Sequence, residues 1–411
     1  MNSNNLAKPA ISKPLFFIGL DVHKETIAVA IAEAGRSGEV RFFGTISNDL
    51  EALEKLIRRI YKAHNVKKTE LSFVYEAGPC GFVIARRMIQ LGIECIVVSP
   101  SLIPKKSGDR IKTDRRDAIK LARLHRAGEL EPINIPQEAD ECIRDLCRGR
   151  TDAVNDQRRI RSQIKAFLLR NGYKYHGKSS WNEAHLRYLR ELVLPYPAHK
   201  ALLEEMILAS TQAAERVVRM TELIEAHYKG WDRRSWCEAL MALKGVQMLT
   251  AITLVAEIGD INRFAHPRQL MAFLGLVPSE HTSSDKVRKG GITKCGNEHA
   301  RWFLIESSQH YALLPKVSKE LSKRQIPVSR RIKEISWNAQ TRLHARYRAL
   351  VAHGKCRQKA ITAVAREFLG FIWALLKEHT RPGSVPARVA AQKNRAYRTY
   401  RLNPALANSQ G

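Results

Sequence analysis

Residues 15–22 read LFFIGLDV, an apolar run in which one acidic residue, Asp21, stands next to last. The run has the length and the aromatic and aliphatic content of a buried strand. A carboxylate at such a position costs free energy unless a cation or a metal ion compensates its charge. The stretch therefore predicts the first strand of a sheet, with a functional acidic group near its carboxyl end.

The sequence that follows predicts an α/β domain. Four further strand patterns occur, at residues 26–31, 40–46, 71–76 and 93–98. Helical patterns separate the last three of the five strands, and another helix begins after Thr113 and ends at Gly128. The order β-β-β-α-β-α-β-α predicts a mixed sheet with helices on its faces.

Three more acidic residues occur at matching places. Glu76 ends the fourth strand, within FVYEAG, and Asp114 and Asp117 lie three residues apart at the start of the last helix, within KTDRRDA. Four carboxylates converging from two strand ends and a helix start would suit two Mg²⁺ ions, which hold the attacking and leaving oxygens of a phosphoryl transfer. Taken singly, Asp114 is explained equally well by the helix dipole as by metal binding. His23, directly after the first strand, could contact substrate, but a surface position in a turn explains it at least as well.

The composition favours a polyanionic partner. The 411 residues contain 69 Lys and Arg against 40 Asp and Glu, a net charge of +29. Such a charge favours nucleic acid, because each neutralised phosphate releases a counterion, but it does not separate RNA from DNA. No apolar run predicts a membrane span, the N-terminus shows no secretory signal, and seven scattered cysteines predict no disulfide framework. We therefore expect a cytoplasmic protein.

After the α/β domain, assigned to residues 15–130, the patterns are helical. Residues 137–230 carry an apolar seam at heptad-like spacing, which predicts a helical or coiled-coil segment with oligomer contacts. Its other face is basic and includes Arg158 and Arg161. Solvent exposure and contact with a nucleic-acid backbone explain these charges equally well.

Residues 236–378 predict a second compact domain that is mainly α. A turn at Lys244, between two short helices, can present backbone N–H groups to a phosphate, although a plain interhelical turn explains it at least as well. Residues 1–14 predict a polar arm and residues 379–411 a basic tail.

This second domain contains a polar, glycine-rich loop after Pro278. The loop carries Ser283 and Ser284 together with four basic residues, Lys286, Arg288, Lys289 and Lys294. A hydroxyl needs a base or a metal to become a nucleophile, and cations to hold the phosphate in the transition state. For a serine in a polar loop, simple solvent exposure is the ordinary explanation.

The motifs IGLDVHK, YEAGPCGF and KTDRRDA, in this order, resemble the RNase H/RuvC-like N-terminal domain of the DEDD transposases of bacterial insertion sequences, the IS110 family, which also includes Piv-type DNA invertases. The segment that begins LKGVQMLTAITL at residue 243 resembles that family's C-terminal transposase domain. The resemblance covers most of residues 15–311. It implies that four acids bind divalent metal: Asp21, Glu76, Asp114 and Asp117.

The resemblance also implies that a serine of the loop forms a covalent phosphoserine intermediate with DNA. The register from Pro278 and from Gly290 assigns this role to Ser283. The chain departs from the family pattern because Ser284 occupies the position that is usually glycine, so Ser284 is the alternative nucleophile. In the family, the serine loop and the acidic cluster form one composite site.

The resemblance further implies an element-encoded structured RNA that pairs with donor and target DNA, and a homo-oligomer, either a dimer or a tetramer. The sequence therefore predicts a transposase that cuts and rejoins DNA strands at the ends of its own mobile element. A site-specific invertase of the same family is an alternative, as is a RuvC-like Holliday-junction nuclease that needs the acids but no serine. A non-catalytic RNA-binding protein would need only the charge.

Overall fold

The computed structural model describes residues 14–104, 112–280 and 288–381. The chain divides into two compact units between Pro136 and Gln137. Each unit has its own hydrophobic core, and the two are described in turn.

The N-terminal unit is built on a five-stranded mixed sheet. Its strands are β1 (Phe16–Val22), β2 (Thr26–Glu33), β3 (Val40–Ser47), β4 (Leu71–Glu76) and β5 (Glu94–Val98). The order across the sheet is β3-β2-β1-β4-β5. The first three strands pair antiparallel, whereas β4 lies parallel to β1 and β5 lies parallel to β4. The predicted RNase H/RuvC-like mixed sheet is confirmed.

Three helices cover the two faces of this sheet. They are α1 (Leu50–His64), α2 (Val83–Gln90) and α3 (Asp114–Ala127). Short 3₁₀ turns lie at Lys68–Glu70 and Pro100–Leu102. On one face, large apolar side chains of β1 and β4, such as Leu20 and Phe73, pack with α1 and α2. On the other face the sheet presents small residues to α3, in a cluster formed by Ala28, Ala30, Ala32, Ala118 and Ala122.

The small residues let α3 lie very close to the central strand. Gly19 of β1 faces the backbone of α3, where a Cβ atom would overlap the carbonyl oxygen of Ala118 and the amide nitrogen of Ala122. Thr113 fixes the start of the helix, because its side chain accepts a hydrogen bond from the backbone N–H of Arg116. Backbone contact at Gly19 therefore sets the position of α3 on the sheet.

The second unit is mostly helical. A long pair comes first, α4 (Glu138–Arg170) and α6 (Pro197–Tyr228), with the shorter α5 (Glu183–Glu191) between them. The remaining helices are α7 (Arg234–Leu240), α8 (Met248–Ile258), α9 (Pro267–Phe273), α10 (Glu298–Ser308), α11 (Lys319–Arg324), α12 (Arg330–Ala352) and α13 (Arg357–His379). Further 3₁₀ turns lie at Ile261–Arg263 and Gln309–Ala312.

The apolar seam of α4 packs within the chain. Near its start, Ile143 and Cys147 share a core with Ile224 of α6, and near its end Phe167 packs with Leu203 at the start of α6. The two helices are therefore antiparallel. The first of these cores continues into α8, α10 and α13, so the start of α4 belongs to the same packed unit as the C-terminal helices.

The glycine-rich loop differs from the sequence-based expectation. Two short strands, β6 (Pro278–Glu280) and β7 (Lys289–Ile292), pair antiparallel where the sequence predicts only an irregular loop. Glycine has a low strand propensity, so the composition of β7 conceals this pairing. In the part of the chain that the structure describes, no helix is both long and apolar enough to cross a membrane.

We expect Gly19→Ala to lower the free energy of unfolding by about 1–3 kcal/mol, because the added methyl group cannot fit without moving α3. Urea denaturation followed by circular dichroism would measure the change. Gly78→Ala is the matched control, because the nearest atom to its Cβ would be 3.9 Å away. Equal stability of the two variants would contradict the close contact between β1 and α3.

Candidate functional site

Asp21 occupies the carboxyl end of β1, on the face of the sheet that α3 covers. Side chains alternate along a strand, so Asp21 shares its face with Gly19, while Leu20 points into the opposite core. Its side chain is only 18% exposed. The first turn of α3 lies beside this strand end, because the close contact at Gly19 fixes the following turns of the helix.

A histidine joins Asp21 to the start of α3. The Nε2 atom of His23 lies 3.1 Å from an Oδ of Asp21 and 3.5 Å from an Oδ of Asp114. One ligand atom from each of these three residues lies within 4.8 Å of the others. The structure therefore brings together two of the four predicted acids and adds a histidine that the sequence did not assign to the site.

The position of His23 is fixed by the turn between β1 and β2. Its backbone N–H donates to the carbonyl of Thr26 at 2.8 Å, and its carbonyl accepts from the side-chain amide of Asn48 at 2.7 Å. Asn48 follows β3, far along the chain. The sequence signal that could have placed His23 in the site is its spacing of two residues from Asp21 at a tight turn. The hydrogen bond from Asn48 is a tertiary contact that no local pattern reveals.

The other two predicted acids, Asp117 and Glu76, are not part of the group formed by Asp21, His23 and Asp114. Asp117 is 30% exposed, and the ammonium of Lys112 lies 3.9 Å from its carboxylate. Glu76 is exposed at the end of β4, one residue beyond the paired residues Leu20 and Tyr75 of the parallel strands. By strand alternation, Glu76 leaves the sheet on the same side as Asp21.

The electrostatics of Asp21 favour a bound cation. Burial raises the pKa of Asp21, the hydrogen bond from His23 lowers it, and the charges of Asp117 and Asp114 raise it further. The net effect is a raised pKa, which means that the negative charge of the Asp21 carboxylate is under-compensated by the groups around it. Carboxylate oxygens are the ligands that Mg²⁺ prefers, so the residues present fit a divalent metal ion.

The predicted nucleophile lies between the two strands of the β6–β7 hairpin. Ser283, Ser284 and Lys286 are outside the described residues, which resume at Arg288. Glu280 and Lys289 are partners in the hairpin, as are Pro278 and Ile292. The described part of the hairpin thus brings the two ends of the serine segment side by side.

Two glycines close the base of the hairpin. Gly275 and Gly296 both have positive φ angles, of 63° and 90°. A Cβ on Gly275 would overlap the carbonyl of Cys295, and a Cβ on Gly296 would overlap that of Phe273. Backbone hydrogen bonds join the two sides, from Lys294 N–H to Gly275 and from Asn297 N–H to Phe273. Only glycine tolerates both the positive φ angle and the absence of space for a Cβ atom.

A buried carboxylate is hydrogen-bonded to the base of the hairpin, through Asn297. Glu257 of α8 is fully buried, and Arg148 of α4 binds both of its oxygens, at 2.8 and 2.9 Å. Asn297 donates to one oxygen at 2.6 Å, and the Nδ1 of His299 lies 2.9 Å from the other. Asn297 also caps α10, since its Oδ1 accepts from the N–H of Ala300.

These partners control the ionisation of Glu257. Burial alone would raise its pKa, but the hydrogen bonds from His299, Arg148 and Asn297 outweigh burial and bring the pKa down to about 2. The ionised carboxylate therefore joins α4, α8 and the end of the serine hairpin. Glu257 is absent from the sequence-based predictions, although a glutamate inside the apolar segment ITLVAEIG was a usable signal.

The basic residues predicted to bind nucleic acid fall in different places. Lys244 lies between α7 and α8, and its ammonium donates to the carbonyls of Leu313 and Leu314, the latter at 2.7 Å. Partial burial lowers the pKa of Lys244. These hydrogen bonds join two segments of the second unit.

The two basic residues of α4 stack on aromatic rings. The guanidinium of Arg158 lies 5.9 Å from the ring centre of Trp302, and that of Arg161 lies 4.9 Å from the ring centre of Trp181. In the hairpin, Arg288 and Lys294 are exposed, and Lys289 begins β7.

Comparison with known proteins identifies the class. Residues 18–171 match a DEDD transposase family of IS110 type, and residues 237–322 match the family described as Transposase IS116/IS110/IS902. The y4qE protein of Sinorhizobium fredii, a proposed transposase, is 46% identical over 88% of this chain and 88% of its own. The transposase for insertion sequence element IS1533 of Leptospira borgpetersenii is 31% identical, over 61% of this chain and 73% of its own.

The mixed sheet and these matches define a transposase with a DEDD domain, an enzyme class that cleaves and transfers DNA strands. Within that class, the chain belongs to the IS110 family of insertion-sequence transposases.

We expect Glu257→Gln to lower the free energy of unfolding by about 3 kcal/mol at pH 7. The folded-state pKa lies below the ordinary value of 4.5, so this contribution is complete above about pH 4.5 and is lost as the pH falls towards 2. Urea denaturation at pH 7 and pH 3 should show less than half of the difference remaining at pH 3.

The control for this experiment is Glu298→Gln, which changes an exposed carboxylate at the start of α10. Its effect should be below about 1 kcal/mol. A difference between wild type and Glu257→Gln that does not change with pH would contradict the ionised, hydrogen-bonded state of Glu257.

Proposed function

We propose that this protein cuts and rejoins DNA at the ends and target of its insertion sequence, using divalent metal and a serine nucleophile. The observation that carries the proposal is the convergence of Asp21, His23 and Asp114 at the end of β1, in a chain that belongs to a transposase family. A half-buried, under-compensated carboxylate is the group expected at a metal-dependent phosphoryl-transfer site.

In this proposal four carboxylates hold Mg²⁺: Asp21, Glu76, Asp114 and Asp117. The bound metal would supply positive charge to the oxygens of the scissile phosphate. The position of Asp21 is set by β1, whose backbone contacts α3 closely at Gly19. The Nε2 atom of His23 lies at hydrogen-bond distance from Asp21 and orients that carboxylate.

The serine segment supplies the nucleophile. The Oγ of Ser283 would form a bond to phosphorus as the bond from phosphorus to the departing deoxyribose oxygen breaks, with loss of the hydroxyl proton and protonation of the departing oxygen. Ser284 is the alternative. The rigid base of the hairpin supports this assignment, because a nucleophile must be held within a fraction of an ångström of its productive position.

The proposal extends to the partners. An element-encoded structured RNA would choose the DNA sites by base pairing, and the helical segment at residues 137–230 would form a dimer or tetramer. The excess of positive charge supports contact with nucleic-acid backbones. Residues 15–130 would form the metal-binding domain and residues 236–378 the serine domain, followed by a basic tail at residues 379–411, in a protein of the cytoplasm.

Covalent trapping tests the nucleophile. Wild type, Ser283→Ala, Ser284→Ala and Asp21→Asn are incubated with labelled element-end DNA, the flanking element RNA and Mg²⁺, then separated on denaturing gels. We expect a protein–DNA adduct in wild type and Ser284→Ala, and its loss, by at least about a hundredfold, in Ser283→Ala and Asp21→Asn.

Each other outcome selects a different mechanism. An adduct lost in Ser284→Ala but kept in Ser283→Ala would transfer the role to Ser284. Cleavage that produces no adduct and is unaffected by either serine change would reject serine chemistry, and would leave a metal-dependent nuclease of RuvC type. Nucleic-acid binding without cleavage, unchanged by Asp21→Asn, would reject the enzyme altogether.

Metal binding can be measured without any DNA. Titration with Mn²⁺ followed by electron paramagnetic resonance should show binding at the acidic cluster, weakened at least about tenfold in Asp21→Asn because a charged carboxylate ligand is lost. Glu129→Gln is the control, since it removes one exposed carboxylate at the far end of α3. Equal Mn²⁺ affinity in both variants would refute a metal site at Asp21.

A further inference from the structure

A wide groove lies beside the serine hairpin in the second unit. It has a volume of about 1130 Å³ and is bordered by α9, by β7 and by the facing parts of α12 and α13. Sites for small molecules usually occupy about 300–1,000 Å³ and are more enclosed. A groove of this size that is open to solvent suits a length of polymer better than a metabolite.

Positive charge dominates the lining of the groove. The single acidic residue, Glu367, forms an ion pair with Arg342 and lies 3.9 Å from Arg346. Five further cations line it: Arg268, Lys294, Lys355, Lys359 and Arg366. All five are exposed, and within the described ranges none has a carboxylate at ion-pair distance.

Some other arginines of the unit, in contrast, are paired. Arg148, Arg216 and Arg233, for example, each contact a carboxylate. Five unpaired cations gathered from α9, the hairpin base, α13 and the turn before α13 repel one another unless an anion lies between them. Their arrangement therefore favours a ligand with several negative charges.

The backbone of Lys294 adds an independent observation. Lys294 adopts a left-handed conformation with φ of 56°, which costs a non-glycine residue about 1–2 kcal/mol. The neighbouring glycine, Gly296, has a positive φ without that cost. Lys294 borders the groove, and its backbone N–H donates to the carbonyl of Gly275 at the base of the hairpin.

We propose that the groove binds the phosphate backbone of the DNA strand that the serine attacks. The strand identity rests on the proposed function, because a strand attacked by a residue between Glu280 and Arg288 has to pass the hairpin that borders the groove. The described lining contains no Phe, Tyr or Trp on which bases could stack. Recognition is therefore by charge and independent of sequence.

Recognition by charge predicts how the affinity for DNA depends on salt concentration. The logarithm of the binding constant falls linearly with the logarithm of salt concentration, with a slope of about 0.7–0.9 for each phosphate neutralised. Lys355→Gln/Lys359→Gln removes two unpaired cations, one from the turn between α12 and α13 and one from the first turn of α13. The slope for labelled element-end DNA, measured by fluorescence anisotropy with the full-length protein and no metal, should decrease by about 1.4–1.8.

The matched control is Lys319→Gln/Lys333→Gln, which removes the same charge from exposed positions outside the groove. Its slope should stay near that of wild type. Arg366→Gln provides a second groove variant and should lower the slope by about half as much as the double variant. Equal slopes in wild type, control and groove variants would overturn the proposal, as would a decrease seen only with the structured element RNA.

The adduct assay separates this inference from the proposed function. If no protein forms an adduct but the groove variants still lower the slope for DNA, the groove is supported and the serine mechanism fails. If adduct formation and slope are both unchanged in the groove variants, the serine mechanism stands and the groove proposal fails.

Discussion

The candidate site depends on the contact between the backbone of β1 at Gly19 and the backbone of α3. A helix can approach a strand this closely only where both present hydrogen or methyl groups, which the alanines of β2 and α3 supply. The helix position that results places Asp114 beside the strand end, so that residues about 90 positions apart meet around His23. Charge repulsion among the acids opposes this arrangement, and packing outweighs it.

The second unit also contains a carboxylate shielded from solvent, but this one has a full set of hydrogen-bond partners. There a single buried charge, Glu257, is fully compensated by Arg148, Asn297 and His299, and so holds three elements together. Such a carboxylate is costly to leave unpaired, so the loss of any one of these partners would destabilise the unit. Asp21 is under-compensated and Glu257 is satisfied. This contrast distinguishes a carboxylate suited to binding a cation from one that maintains the fold.

Much of the N-terminal unit could be predicted from sequence, because its strands are short apolar runs bounded by turn residues and its helices have clear caps at Asp49 and Thr113. The meeting of Asp21 with Asp114 followed from the order of those elements. The place of His23 could not, since a distant amide of Asn48 fixes its turn. The basic groove was equally hidden, because its cations come from helices and turns up to about a hundred residues apart and no local pattern relates them.

The closed base of the hairpin has a consequence for how the loop can vary among related proteins. Gly275 and Gly296 fix both ends of the hairpin through backbone contacts that do not involve the segment between Glu280 and Arg288. Doubling the length of a loop with fixed ends costs only about 0.6 kcal/mol. The length of this segment can therefore change at little cost to the stability of the fold.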